Sequence, residues 1–236
     1  MYKKIQHNIV EEHFDNIAAY QCGGNANVAM TARHIGADLF SSILTENTPS
    51  AVAFREASRV YSTQILMYLR SYLVAKVSGN IDEMVAIKQA FDQFYPLATA
   101  RTFGPLISPD EGNKLSSSFK ILIDGFMTFI DKIAEGKDLG EALATIRNHY
   151  EDYSKLLNSL LPNWSSVMLN DLWREASGTL VDQITSRIKK DWSSDQTAFG
   201  RLYELLVSGS ARSSGFADII SKGFIQRNPF RFEAMY

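Results

Sequence analysis

The chain of 236 residues carries 24 Lys and Arg against 26 Asp and Glu, a formal net charge of −2. This balance argues against a protein that neutralises phosphates, so no nucleic-acid partner is expected. The single cysteine, Cys22, excludes an intramolecular disulfide, no signal-peptide core opens the sequence, and no apolar run reaches the ~20 residues of a membrane-spanning helix, so we expect a cytoplasmic protein without membrane insertion.

The first 80 residues are predicted to form a helical hairpin followed by one long helix. Apolar residues spaced three and four apart predict helices over 3–20 and 27–44, and the glycine pair at 23–24 suits the turn between them. The long helix is predicted over 51–77, with Ser50 as its N-cap.

The main break in the sequence is predicted after a fourth helix. Asn80 is suited to cap this helix, which is predicted to end near residue 94 with the help of Pro96. Residues 97–108 form the predicted break. We therefore expect an N-terminal region over 1–80 and a helical core over 81–223, either separate or continuous with each other.

Helix signals continue through the second half of the chain. Ser108, Pro109 and Glu111 provide a capping hydroxyl, a proline at the first helical position and a glutamate three residues after the cap. Four more helices follow this fifth one, with approximate bounds at 140–161, 164–190, 192–207 and 215–221, and an irregular aromatic tail is predicted over 224–236. The predicted fold class is all-α, a multi-helix bundle of about eight to nine helices with a helical hairpin at the N-terminus.

Common enzyme motifs are absent from the sequence, including a P-loop, a dinucleotide glycine fingerprint, a nucleophile elbow and a zinc-binding cysteine cluster. Their absence favours a non-catalytic protein that binds a ligand or a protein partner. The tail carries Phe230, Arg231, Phe232 and Tyr236, and since aromatics and arginine dominate protein interfaces, a protein partner or self-association is expected.

An alternative is a metal site on the predicted N-terminal hairpin. His7 and Glu11 are four residues apart, as are His34 and Asp38, so each pair shares one helix face. If the two helices fold back on each other, the four side chains approach one another. Imidazole and carboxylate groups together bind iron, manganese or zinc, so this reading predicts a non-haem metal bundle.

The other alternative comes from the order of residues after Phe91. Phe103 follows an aromatic segment, a long apolar helix comes next, and His149 precedes the aromatic stretch that begins at Trp192. This order resembles the globin family over about residues 85–208. The resemblance implies a globin-like fold and a haem cofactor, with Phe103 packing on the haem, His149 binding its iron, and a function in gas binding or sensing.

Overall fold

The computed structural model describes residues 47–161, 164–209 and 214–232. These residues form eight α-helices, a 3₁₀ turn at Gly104–Leu106 and a π-helical turn at Glu204–Ser208, with no strand among them. The all-α multi-helix bundle expected from the sequence is confirmed. In chain order the helices are α1 Pro49–Ser78, α2 Ile81–Phe103, α3 Pro109–Ala134, α4 Leu139–Leu160, α5 Ser166–Ile188, α6 Trp192–Tyr203, α7 Phe216–Arg227 and α8 Pro229–Phe232. The predicted N-terminal hairpin lies outside the described residues.

Helix α1 is the central element of the bundle and contacts α2, α3, α5, α7 and the π turn. Its N-cap is Thr48, whose Oγ1 accepts a hydrogen bond of 3.2 Å from the amide of Ala51, and not Ser50 as predicted. The reason is Pro49, which suits the first helical position, so the cap must precede it. The helix ends at Gly79, where a φ of 73° is easily reached only by a residue without a Cβ.

The prediction that Pro96 helps to end α2 is wrong, because the helix continues to Phe103. The face that carries Phe91, Tyr95 and Thr99 at four-residue spacing stays buried across the proline, while Pro96 itself is exposed. Burial of this continuous apolar face outweighs the one hydrogen bond that proline cannot donate. Most of the predicted break at 97–108 is therefore helical.

The start of α3 agrees with the sequence analysis. Ser108 and Glu111 form a reciprocal capping box, with the Glu111 carboxylate 2.9 Å from the amide of Ser108. Further along, α3 and α4 approach closely at Gly125, where a Cβ would lie 2.7 Å from Cδ2 of His149. A glycine is needed at this point because the imidazole covers it.

Residues 224–227 and 229–232 are helical, so the predicted irregular tail is wrong over this part. Helix α7 extends to Arg227, beyond the predicted end at residue 221, and α8 follows it. Phe224 is fully buried, and the ring of Phe232 packs 5.4 Å from that of Phe54, so this segment belongs to the core and is ordered by it. Among the described helices, none has the length and hydropathy needed to cross a membrane.

Candidate ligand cavity

A narrow cavity of about 40 Å³ lies between α1, α3 and α5, and is closed by α6, the π turn and α7. Its walls are mostly aliphatic and aromatic, with Ile65 and Leu69 from α1, Ile123 from α3 and Leu180 from α5. A cavity of this size holds about three water-sized spheres. It therefore suits a molecule of few non-hydrogen atoms with an apolar body.

Two buried donors in the cavity wall have no hydrogen-bond partner among the described residues, the indole Nε1 of Trp173 and the amide Nε2 of Gln183. The two residues are only 3% and 1% exposed. A buried donor without an acceptor costs about 1–3 kcal/mol, so the cavity wall provides unmet hydrogen-bonding capacity. Since both residues lie on α5 ten positions apart, they are about 15 Å apart along the helix axis.

Arg70, which lines the cavity together with Gln183, belongs to a buried ionic cluster with Asp195 and Arg187. One carboxylate oxygen of Asp195 accepts hydrogen bonds of 2.7 Å from Arg70 and 2.7 Å from Arg187, and Arg70 also bonds to the other oxygen. The Asp195 side chain is 1% exposed, against 11% for Arg70 and 18% for Arg187. Two cations share one anion, so the cluster carries a net charge of +1.

The cluster is positioned by three helices. Arg70 belongs to α1 and its guanidinium lies over the ring of Phe199 at 5.0 Å, while Arg187 is one turn after Gln183 on the same face of α5. Asp195 lies in the first turn of α6. Burial alone would raise the pKa of Asp195, but hydrogen bonds and charge from the two arginines outweigh it and hold this pKa below its ordinary value. Asp195 is thus a fixed anion, and Arg70 joins the cluster to the cavity wall.

One part of the cavity wall belongs to a π-helical turn. Leu206 of this turn is half-buried and lines the cavity, and the turn ends with a hydrogen bond of 2.8 Å from the amide of Gly209 to the carbonyl of Glu204. A π turn widens the helix by one residue, and such turns are frequent at functional sites.

The tyrosine in the cavity wall is not a free polar group. The Tyr61 hydroxyl is 2.8 Å from Oγ1 of Thr99, and burial raises the pKa of Tyr61 well above its ordinary value. The hydroxyl therefore stays protonated and its bond is satisfied within the core. The polar end of the cavity is provided instead by Gln183 and Arg70.

The two residues that the globin resemblance selects lie in different surroundings. Phe103 is buried, packs against the rings of Tyr61 at 5.5 Å and Phe224 at 5.1 Å, and lines a second cavity of about 10 Å³. His149 is half-buried between α4 and α3, against Gly125, and lines neither of these two cavities. The structure does not bring the two side chains together at one cavity, and their haem assignment stays a prediction.

The predicted metal ligands His7, Glu11, His34 and Asp38 lie outside the described residues. Within the described ranges, no group of three or more His, Cys, Asp or Glu side chains is arranged to hold a metal ion. The metal assignment on the hairpin likewise stays a prediction.

The residues that define the polar end of the cavity, Gln183 and Arg70, were not predicted from the sequence. One signal was available, because Arg70 interrupts the most apolar stretch of the chain, 65–77. A charged residue on a buried helix face requires a partner, but the sequence does not show that this partner is Asp195, 125 positions away. No family model, curated protein or solved structure matches this chain.

Proposed function

We propose that this chain is a non-catalytic binding protein that takes a small short-chain carboxylate into the cavity between α1, α3 and α5. The observation that carries the proposal is that Gln183 lines the cavity while its buried amide Nε2 has no acceptor among the described residues. A ligand oxygen at this position removes the desolvation cost of the donor.

Charge favours a carboxylate over a neutral acceptor. The cluster of Arg70, Asp195 and Arg187 carries one positive charge in excess, and Arg70 itself lines the cavity. An anion near these groups gains Coulomb energy that an alcohol does not gain, and the gain is larger away from bulk water. The aliphatic walls then accept the short apolar body of the ligand.

The test uses the full chain and sodium butanoate, followed by calorimetric titration and by the melting temperature. Butanol and butylammonium provide neutral and cationic ligands of similar size. We expect butanoate to bind and to raise the melting temperature, butanol to bind at least about tenfold more weakly because it lacks the charge, and butylammonium not to bind.

Gln183→Leu is the informative variant because it removes the donor and keeps a side chain of similar volume. We expect it to abolish butanoate binding. The melting temperature should rise or stay the same, because the variant removes a buried amide that has no hydrogen-bond partner. Ser154→Ala is the matched control, because the Ser154 hydroxyl is also buried and without a partner but does not line the cavity. It should stabilise the fold and leave binding unchanged.

Two results contradict the proposal. If none of the carboxylates from acetate to butanoate binds at millimolar concentration, the cavity is a packing feature of the core. If Gln183→Leu binds butanoate as tightly as the natural chain, the ligand does not use this donor.

A further inference from the structure

An open cleft of about 420 Å³ lies at the end of the bundle where α1, α3 and α5 terminate. Ser78, Ala134 and Ile188, the last residues of these three helices, all line it. Its volume falls within the range of ligand sites in proteins. It differs in position from the interior cavity and shares none of the residues that line that cavity.

Three cations line this cleft, Lys76, Arg187 and Lys190, and no Asp or Glu among the described residues lines it. Lys76 is bonded to Glu135 at 2.6 Å, and Arg187 is bonded to the buried Asp195. These two cations also offset the partial negative charge that helix C-termini carry. Lys190 has no ion-pair partner among the described residues, so it is an excess cation in addition to the one excess charge of the Arg70–Asp195–Arg187 cluster.

The backbone at Lys190 is unusual, with a φ of 60°, the one positive φ of a non-glycine residue in the described ranges. The amide of Lys190 bonds to the carbonyl of Arg187 at 3.1 Å, and that of Asp191 to Ser186 at 2.9 Å, as in a helix C-terminus that normally places glycine at this position. A lysine here is less favourable for the fold than glycine. Backbone stability therefore does not explain why a lysine occupies this position.

An exposed tryptophan, Trp192, lines the cleft together with the cations. Trp192 is 55% exposed and has the Arg187 guanidinium 5.5 Å from its ring centroid. The apolar side chains of Val77 and Ile188 continue this surface. Large exposed indoles are costly in water, and a flat ring stacked on one is stabilised by about 1–3 kcal/mol.

We infer that this cleft binds a small planar aromatic molecule that carries a phosphate, with the ring on Trp192 and the phosphate at Lys190. The apolar surface and the excess cation lie side by side, which matches a ligand with a ring at one end and an anion at the other. The cleft shares no lining residue with the interior cavity, and its test uses Lys190 and Trp192, which lie outside the Arg70–Asp195–Arg187 cluster, so either proposal can fail without the other.

The experiment is a titration of the full chain with adenosine monophosphate, observed by tryptophan fluorescence and by calorimetry. Adenosine and inorganic phosphate, titrated separately, test the ring and the anion alone. We expect adenosine monophosphate to bind and to quench the fluorescence, and each part alone to bind at least about tenfold more weakly. A binding constant that weakens with added salt is expected from the charge contact.

Lys190→Gly separates a ligand role from a structural one. It removes the cation and relieves the backbone, so the melting temperature should rise or stay the same while affinity falls about tenfold. Trp192→Leu should lower affinity by a similar factor and remove most of the quenching. The matched controls are Lys88→Gln and Phe230→Leu, which change an exposed lysine and an exposed aromatic outside the cleft and should leave binding unchanged.

The inference is overturned if adenosine monophosphate does not bind at millimolar concentration, or if Lys190→Gly and Trp192→Leu both bind it as tightly as the natural chain. A single-stranded oligodeoxyadenylate is included as a third ligand. If it binds more tightly than the mononucleotide, the cleft is part of an extended nucleic-acid surface and the assignment to a small ligand is wrong.

Discussion

Asp195 provides the most demanding test of the energetics of this fold, through the substitution Asp195→Asn. Its carboxylate accepts hydrogen bonds from two arginines and its side chain is 1% exposed. Asparagine keeps the shape but removes the charge, and leaves Arg70 and Arg187 largely buried beside an amide. Removing one partner of a buried ionic group costs about 3–5 kcal/mol, and we expect a loss of stability of this order.

The assay is equilibrium unfolding in urea, followed by circular dichroism, with Asp152→Asn as the control. Asp152 pairs with Lys155 on the exposed surface of α4, so its substitution should leave the midpoint almost unchanged. If the free energy of unfolding of Asp195→Asn lies within about 1 kcal/mol of that of the natural chain, the cluster contributes no more than a surface ion pair, and the expectation is wrong.

The effect of Asp195→Asn should also depend on pH, with a definite sign. The pKa of Asp195 is lowered in the folded state, so its charge stabilises the fold above the ordinary carboxyl pKa of about 3.9. This contribution is lost as the pH falls through that value toward the lower pKa of the folded state. The stability difference between the natural chain and the variant should be constant near neutral pH and should shrink below about pH 4, and a difference that grows on acidification would contradict the assignment.

Three further substitutions test the packing and the helix ends. Gly125→Ala should destabilise the chain by about 1–3 kcal/mol, because the new Cβ would lie 2.7 Å from His149, whereas Gly178→Ala, where no atom lies within 4 Å, should stabilise it in the same urea titration. Pro96→Ala should raise stability by about 1–2 kcal/mol, since an exposed position inside α2 regains a helical hydrogen bond; a loss of stability would show that the proline shapes the helix. Ser108→Ala should cost about 0.5–2 kcal/mol by removing the capping hydroxyl of α3, and a melting temperature equal to that of the natural chain would exclude this role.

Helix type and most helix starts could be predicted from the sequence because they depend on local signals. The Ser108 and Asn80 side chains each accept a hydrogen bond from a backbone amide only three positions later, and both predicted caps are confirmed. The error at Pro96 has a different origin. A proline is a local signal against a helix, but burial of Phe91, Tyr95 and Thr99 against α1 and α3 decides the outcome, and that burial is a tertiary effect.

The candidate sites could not be predicted in the same way. Arg70 meets Asp195 across 125 positions, and the cleft joins Lys76 to Lys190 through the ends of helices that are distant in the sequence. Neither residue spacing nor composition encodes which helix ends meet. Trp192 and Lys190 were part of a predicted helix start and a predicted helix end, and only the three-dimensional arrangement shows that both line one cleft.

Several departures from local rules lie at the interior cavity and at the outer cleft. Gln183, whose amide is unpartnered, and Leu206 of the π turn line the interior cavity, and the buried Asp195 is bonded to Arg70 of its wall. The left-handed Lys190 lines the outer cleft. Each of these features, taken alone, lowers the stability of the fold or stabilises it only when its partners are present. Gln183 and Arg187 lie on α5 and Lys190 follows just after its end, so the three residues fall within eight positions of the sequence. Features that oppose stability are expected where a protein binds or reacts. The positions of Gln183, Arg187 and Lys190 therefore favour the end of α5 as the region in which to test binding first.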